Sequence, residues 1–421
     1  MQERPSAGAL LWTALQPLHS LGVVTAVHHL LGLAVTAGVY VVLLRQGVPR
    51  WAATLAAVPL ALDGMVLALE QSLVAEPAFL ALEALAVGLL MWSRGRPSVP
   101  AVAVAGLAAG ASVITRSVGI GLVIALCAVL VARRVGAVRL VTAFVACSLP
   151  VVGYAAAYVH AHGAFSVSES TGRFLYGRLA TIAECDRYPV PREEAVLCPD
   201  EPVDERPGLS YWTWDPRSPY YAELDDGRSE AERISTSWSL RVIREQPGDY
   251  AELVVTDLGR TLSPQPELGV FAFAPSYPEL PGSADDLARE YQDGEPGDTV
   301  VDAGLQPFLA GYQRVATVPG LAYGLALLLG ALGVVLGRDP TGRGARSWTA
   351  MLVLTGAAVL TIPALLAGYD PRYLSPALPV LSMAAVLGGW LLWGRVQQRR
   401  AGQQPEPATP EAAPHPVADP V

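Results

Sequence analysis

The chain has 421 residues, of which 52% are hydrophobic and 16% are charged, and its mean hydropathy is +0.36. This apolar content exceeds what a soluble domain buries, so it excludes an ordinary soluble protein and predicts a membrane protein. The net charge of -9 is concentrated between residues 160 and 317, which hold 28 of the 38 acids and 13 of the 29 basic residues, so we expect no nucleic-acid partner.

Apolar runs of roughly membrane-spanning length follow one another along most of the chain. A bilayer core of about 30 Å is crossed by roughly 20 helical residues, and fewer suffice where neighbouring helices shield the ends. Because the runs lack the apolar/polar alternation of barrel strands, we predict an all-α polytopic membrane protein with about nine transmembrane helices. The predicted spans are residues 20–44, 51–69, 77–93, 99–115, 118–133, 137–159, 318–337, 347–367 and 373–394.

Arginine clusters occupy every second gap between the spans. Short loops rich in positive charge stay cytoplasmic, so this alternation predicts a multi-pass membrane protein with one large extracytoplasmic loop. The predicted organisation is about six helices at 1–159, an extracytoplasmic cap at 160–317, about three helices at 318–395 and a disordered cytoplasmic tail at 396–421. The clusters are Arg45 and Arg50, Arg94 and Arg96, Arg133 to Arg139, Arg338 to Arg346, and Arg395 to Arg400.

The long outer loop has the features of a small folded cap. Cys185 and Cys198 lie in it together, in a compartment where disulfides persist, so we predict a bridge between them. Residues 230–260 predict an amphipathic helix that lies either on the membrane or bundle surface or over the cap's own core. Five aromatic side chains offer faces for stacking on sugar rings, although core packing is favoured for them: Tyr211, Trp212, Trp214, Tyr220 and Tyr221.

Four acidic residues lie in or beside the predicted spans, where a charge at mid-bilayer costs about 2.5 to 3.5 kcal/mol. They are Asp63, Glu70, Glu76 and Glu83. Glu70 and Glu76 flank the outer turn between the second and third spans, and paired carboxylates there suit a general base and its orienting partner, so both are predicted catalytic residues. The alternative is a solvated interfacial turn. Glu83 follows Glu76 by seven positions, on the same helical face and deeper.

Two arginines in the short outer turns belong to no cytoplasmic cluster. Arg116 occupies the outer turn between the fourth and fifth spans, in ITRSVGI, and Arg372 lies before the last span, in YDPRYLSP. A guanidinium group at the membrane boundary donates bidentate hydrogen bonds to a lipid phosphate, which is the predicted role of both. The alternatives are a side chain that extends to the lipid headgroups and, for Arg372, an ion pair with Asp370.

Motifs for metal ions and soluble nucleotides are absent from the sequence. His28 and His29 are adjacent and therefore point to different helix faces, which does not suit a shared metal ion. There is no P-loop, dinucleotide fingerprint or serine nucleophile elbow. We therefore expect no metal, no cofactor and no hydrolysis of a soluble nucleotide.

The order of short motifs along residues 20–395 resembles bacterial glycosyltransferases of the GT-C superfamily. The similar members depend on polyprenyl-phosphate sugars and include protein mannosyltransferases and lipid A aminoarabinose transferases. The motifs that carry the resemblance are VHHLLGLAV, RQGVPRWAATLAAVPLALDG, ALEQSLVAEPAF, ITRSVGI, GRFLYGRLA, QPGDY and YDPRYLSPALP.

The resemblance implies helices whose short outer segments form a cavity for a sugar carried on polyprenyl phosphate in the membrane lipid. The sugar passes with inversion to a hydroxyl or amine of an extracytoplasmic acceptor, which is a protein, a cell-wall glycan or a lipid. Glu76 and Glu70 match acids of the second outer loop. Arg116 matches a basic position, and Arg372 and Tyr373 match the final RYL-P motif, both suited to the donor phosphate because its departure builds negative charge.

The resemblance also implies a first helix and a large first outer loop, whose Asp is the usual catalytic base, and this sequence starts after that loop. Nine spans with a cytoplasmic C-terminus independently place the N-terminus outside. Either a short tail carrying only Glu3 and Arg4 is translocated, or the chain is truncated at its N-terminus, and the segment missing from the resemblance favours truncation. Two alternative functions are open. One is a catalytically inactive protein that binds lipid-linked sugar or acts as a scaffold, and the other is a transporter of small or lipidic solutes.

Overall fold

The computed structural model describes residues 12–93, 95–162, 166–167, 170–222, 224, 228–263, 302, 304–340, 342 and 344–401. Within these ranges the chain is helical and contains no β-strand, which confirms the predicted helical class. The last helix continues to Ala401, so the boundary predicted for the tail at residue 396 is wrong. The rest of the predicted tail, residues 402–421, lies outside the described residues.

The N-terminal region forms helices that match the predicted spans, except that the second span is divided. They are α1 (Leu21–Arg45), α2 (Arg50–Leu62), α3 (Gly64–Glu70), α4 (Glu76–Trp92), α5 (Val99–Thr115), α6 (Gly119–Ala132) and α7 (Ala137–His162). Small residues let two of them approach closely, because Gly106 and Gly110 of α5 lie against Ala146 and Cys147 of α7. Apolar side chains of these helices join those of later helices in one core.

Asp63 divides the second predicted span into α2 and α3. The two helices are bent by 50° at this residue, which has an extended backbone. Its carboxylate accepts hydrogen bonds from the backbone amides of Val66 (2.8 Å) and Val318 (2.7 Å). Asp63 therefore caps α3 and ties it to a distant part of the chain, which is a structural role for this acid.

Replacing Asp63 with alanine is expected to destabilise this junction by about 2 kcal/mol, because two amides in the bundle lose their acceptor. Asp63→Asn keeps one acceptor oxygen, and its stability should fall between those of the wild type and the alanine variant. Thermal unfolding in detergent measures both. A wild-type unfolding midpoint for Asp63→Ala would contradict the role of the carboxylate.

The described residues between 170 and 263 form a helical cap with its own core. Its helices are α8 (Thr171–Leu179), α9 (Arg192–Ala195), α10 (Leu209–Trp214), α11 (Pro219–Ala222), α12 (Arg228–Glu245) and α13 (Pro247–Thr261). The single helix predicted over 230–260 is two helices, because Pro247 lacks an amide hydrogen and begins a new one. Tyr176, Trp212 and Trp238 form the centre of the core, each at most 1% exposed.

Cys185 and Cys198 form the predicted disulfide in the cap. Peptide mapping by mass spectrometry without reductant should recover the two cysteines joined, and free thiols would contradict the bridge. Replacing both with serine is expected to destabilise the cap by about 3 kcal/mol, because the bridge closes a short loop in the unfolded chain. Limited trypsin digestion in detergent should then cleave the cap faster than in the wild type, whereas the serine variant of Cys127 and Cys147 in the bundle should match the wild type.

After the cap the chain returns to the bundle. The remaining helices are α14 (Leu305–Ala316), α15 (Gly320–Leu336), α16 (Ala345–Leu366), a 3-10 segment (Pro371–Ala377) and α17 (Leu378–Ala401). Across the described residues five helical segments are long and apolar enough to cross a membrane, or six if α2 and α3 form one span. These long helices make the chain a multi-pass helical membrane protein. The count of nine spans stays a prediction, because α4, α5 and α6 have only 14 to 17 residues.

The arginine-rich turns meet at one end of the bundle. Arg133 donates hydrogen bonds to the Ser347 hydroxyl (2.6 Å) and the Gly95 carbonyl (3.0 Å). Arg338 donates to the Gln398 side chain at 3.0 Å, which joins the turn after α15 to the end of α17. The turns that follow α3, α5 and α16 lie at the opposite end of their helices.

The cap packs against this opposite end. The Tyr250 hydroxyl of α13 donates a hydrogen bond to the Leu365 carbonyl at the end of α16 (3.0 Å). The helix that follows the cap, α14, reaches the same end, where the Tyr312 hydroxyl donates to the Leu62 carbonyl at the end of α2 (2.6 Å). These contacts place the cap beside the turns that carry the predicted site residues.

Candidate functional site

Three turns at the cap end of the bundle bring the predicted site residues together. The turn between α3 and α4 carries Glu70 and Glu76, and Arg116 caps the end of α5 with an extended backbone. Arg372 and Tyr373 lie in the 3-10 segment before α17. Glu76, Arg116, Arg372, Tyr373 and the neighbouring Asp370 are called the polar cluster below.

Glu76 and Arg116 form an ion pair inside the polar cluster. Glu76 is the first residue of α4, where a negative charge is favoured by the helix dipole, and it is 2% exposed. The guanidinium carbon of Arg116 lies 5.2 Å from the centroid of the Tyr373 ring. Glu76 is therefore not in a solvated turn, which was the alternative interpretation.

Arg372 lies against the same aromatic ring, with its guanidinium carbon 5.4 Å from the centroid of Tyr373. Its Nε atom is 2.8 Å from Oδ2 of Asp370, so the ion pair considered as an alternative is present. The Arg372 backbone amide also donates to Oδ1 of Asp370 at 3.0 Å, which fixes the start of the 3-10 segment. Glu76 acts electrostatically on Arg372 as well as on Arg116, so both arginines belong to one charged group.

Glu70 is held by two adjacent histidines of α1. Nδ1 of His29 lies 2.5 Å from a carboxylate oxygen of Glu70, and Nδ1 of His28 lies 3.2 Å from its backbone oxygen. α1 and Glu70 approach so closely because residue 32 is glycine, where a Cβ atom would collide with the Glu70 carboxylate. The sequence analysis missed the role of these histidines. It considered only whether they bind one metal ion together, and not that each could contact a different oxygen of Glu70.

A cleft opens beside the polar cluster, between α13 of the cap and the bundle. Its free space is about 10 Å3, which is room for about one water molecule. One wall is apolar, and the other includes polar side chains of the segment before α17. The lining residues are Thr261, Leu360, Pro363, Ala364, Gly368, Tyr369, Asp370, Tyr373 and Leu374.

The other residues singled out from the sequence lie elsewhere. Asp63 serves the junction of α2 and α3, and Glu83 is fully buried in the bundle, where neither of its oxygens has a hydrogen-bond partner in the described part of the chain. Trp212 and Tyr220 are buried in the cap core, as favoured for the aromatic residues, so they are not available to stack on a sugar. The disulfide also belongs to the cap.

Comparisons with family models, with curated proteins and with solved structures found no match for this chain. The described residues contain no group of three or more His, Cys, Asp or Glu side chains placed to hold a metal ion. The candidate site is defined by the side chains described above. It combines two guanidinium groups, three carboxylates, a tyrosine and two imidazoles at one end of a membrane-embedded bundle.

Proposed function

We propose that the chain is a membrane glycosyltransferase of the GT-C type that transfers a hexose or pentose from a polyprenyl-phosphate carrier to an extracytoplasmic acceptor. The observation that carries the proposal is the placement of Arg116 and Arg372 against one ring, that of Tyr373, with Glu76 beside them. The acceptor is a hydroxyl or amine of a protein, a cell-wall glycan or a lipid.

The two guanidinium groups suit the donor phosphate. Both guanidinium carbons lie within 5.4 Å of the centroid of the Tyr373 ring, and a phosphate beside that ring is the ligand that we propose for them. Departure of the carrier phosphate builds negative charge on its oxygens, and cations that are fixed in advance stabilise that charge. Glu76 and Asp370 hold the two cations in place by ion pairs.

The sidedness of the bundle supports work outside the cytoplasm. The arginine-rich turns meet at one end, and positive turns stay in the cytoplasm. The polar cluster and the cap lie at the opposite end, next to the cleft.

Transfer by the purified chain in proteoliposomes tests the proposal. Radiolabelled polyprenyl-phosphate mannose and a polyprenyl-phosphate pentose are supplied with a bacterial envelope extract as the source of acceptors. We expect label to move from the lipid to a lipid-free or protein fraction with at least one donor. Arg395→Ala, at the other end of the bundle, is the matched control and should transfer normally. Failure of every donor both to transfer and to bind would contradict the proposal.

The second candidate function is binding of lipid-linked sugar without transfer. It is favoured by one observation: both carboxylates predicted to be catalytic are engaged, Glu76 by Arg116 and Glu70 by His29. A binding protein would retain polyprenyl-phosphate sugar at the polar cluster and release none of its label. The same proteoliposome experiment separates the two functions, because binding with no transfer by wild-type chain favours the second.

A further inference from the structure

His28 lies beside the site and has a ring nitrogen, Nε2, that no described residue engages in a hydrogen bond. Glu76 and Glu70 are both already engaged, Glu76 by the Arg116 guanidinium and Glu70 by the His29 imidazole. His28 is fully buried, and its Nε2 atom has no hydrogen-bond partner within the described ranges. A buried polar atom without a partner destabilises the fold, so its presence beside a charged cluster needs a reason.

The hydrogen bond made by Nδ1 determines the tautomer of His28. Its partner is the backbone oxygen of Glu70, at 3.2 Å, and a carbonyl oxygen can only accept. The proton of a neutral imidazole must then be on Nδ1, which leaves the lone pair on Nε2. In a serine protease triad a carboxylate orients the base histidine through Nδ1 in the same way, and here the Glu70 carbonyl does so.

The polar groups that act on His28 come from three helices. Glu76 from α4 and His29 from its own helix act on it electrostatically, and Glu70 contributes its carbonyl from α3. The other helices packed against α1 are α2 and α17, and their ionisable residues are arginines at the opposite end of the bundle. Glu76 would stabilise an imidazolium at His28 while remaining paired with Arg116.

We propose that His28 is the general base of the transfer reaction and that its Nε2 atom receives the proton of an acceptor hydroxyl. This inference rests on the proposed function and names the group that takes the proton. The acceptor O–H bond breaks as its oxygen bonds to the anomeric carbon, and the bond from that carbon to the phosphate oxygen breaks. The phosphate leaves with the electron pair beside Arg116 and Arg372, and the imidazolium returns its proton to water. Glu76 is a positioning residue in this scheme.

Histidine nitrogen NMR tests the tautomer without any activity measurement. In the full chain labelled with 15N-histidine, in detergent at neutral pH, the His28 ring should show a protonated Nδ1 and a bare Nε2. The His28→Asn spectrum assigns the signal by its disappearance, and His160→Asn, on the exposed end of α7, is the matched control. A proton on Nε2 of His28 at neutral pH would overturn the proposal.

Transfer by His28→Asn tests the role in the reaction. The Asn amide places an N–H group near the position of Nδ1, so it keeps the donor to the Glu70 carbonyl and removes the base. The turnover rate should fall about 10²-fold or more, with unchanged binding of polyprenyl-phosphate mannose or pentose. In His28→Gln the side-chain amide reaches the position of Nε2 but is not basic. Its turnover rate should fall by the same factor. The unfolding midpoint of His28→Asn should match that of His160→Asn, and that of His28→Gln should be lower, because the Glu70 carbonyl loses its donor.

The pH profile separates a base from a structural residue. The wild-type rate should fall as the pH decreases, because protonated His28 cannot accept the hydroxyl proton, and His28→Asn should lack this acidic limb. If both His28 variants bind donor and turn it over at the wild-type rate, the inference is wrong and the proposed function stands. If the wild type itself binds donor without transferring, the proposed function fails and the role of His28 as a base fails with it.

Discussion

Arg372→Ala is expected to weaken binding of polyprenyl phosphate by about 10- to 100-fold, the loss typical of a charge-assisted hydrogen bond to an anion. Arg372 and Arg116 lie against the same ring, so either substitution removes half of the cationic pair. Removing Arg372 also leaves Asp370 without its ion-pair partner, which adds an anion beside the phosphate. Native mass spectrometry of the chain with polyprenyl phosphate measures the loss.

The size of this effect depends on the phosphate and not on the lipid chain. Polyprenol, the same lipid without phosphate, should bind weakly and equally to the wild type, Arg372→Ala and Arg116→Ala. Arg372→Lys keeps the charge but loses the planar guanidinium group with its paired N–H donors. It should therefore recover only part of the affinity for polyprenyl phosphate. Arg395→Ala, at the opposite end of the bundle, is the matched control. Equal affinity of Arg372→Ala and the wild type for polyprenyl phosphate would remove Arg372 from the site.

Asp257→Ala is expected to destabilise the cap by about 3 to 5 kcal/mol, because it leaves a buried charge without its partner. Asp257 of α13 pairs with Arg178 of α8, which is 1% exposed, and also with Arg260 at 2.9 Å. Burial lowers the pKa of Arg178 and the Asp257 carboxylate opposes that change. Hydrogen exchange of amides in α8 and α13 should increase in the variant.

Two variants test the cause of this destabilisation. Glu252→Ala removes an exposed carboxylate from the same helix and should leave hydrogen exchange unchanged. Replacing Arg178 with methionine together with Asp257→Leu removes both charges, and should recover most of the stability, because the unpaired charge and not the lost contact carries the cost. If Asp257→Ala alone exchanges like the wild type, the buried pair does not hold the cap together.

The division of the arginines between the two ends of the bundle could be predicted from the sequence, because it depends on side-chain charge and on the spacing of apolar runs. Arg133 and Arg338 meet at one end as expected, and Arg116 and Arg372 meet at the other. The disulfide could be predicted as well, since only two cysteines lie in the outer loop. These features need no knowledge of how helices pack.

The hydrogen-bond and ion-pair partners of the acidic side chains could not be predicted, because they depend on which turns lie beside each other. Asp63 looked like an ionisable group inside a span, and its role came from an amide 255 residues away. Glu70 looked like a catalytic acid, and the approach of α1 through Gly32 places it beside two histidines. The break at Pro247 was visible in the sequence, but the amphipathic pattern continues across it and favoured a single helix.

Sidedness is the claim on which the proposed donor site depends, and labelling of cysteines in intact cells measures it most directly. Glu205→Cys places a thiol on the exposed surface of the cap, and Arg399→Cys places one near the end of α17. A membrane-impermeant maleimide should label the cap cysteine in intact cells and the α17 cysteine only after lysis. The reverse pattern, with the cap protected until lysis, would place the polar cluster in the cytoplasm and contradict the account.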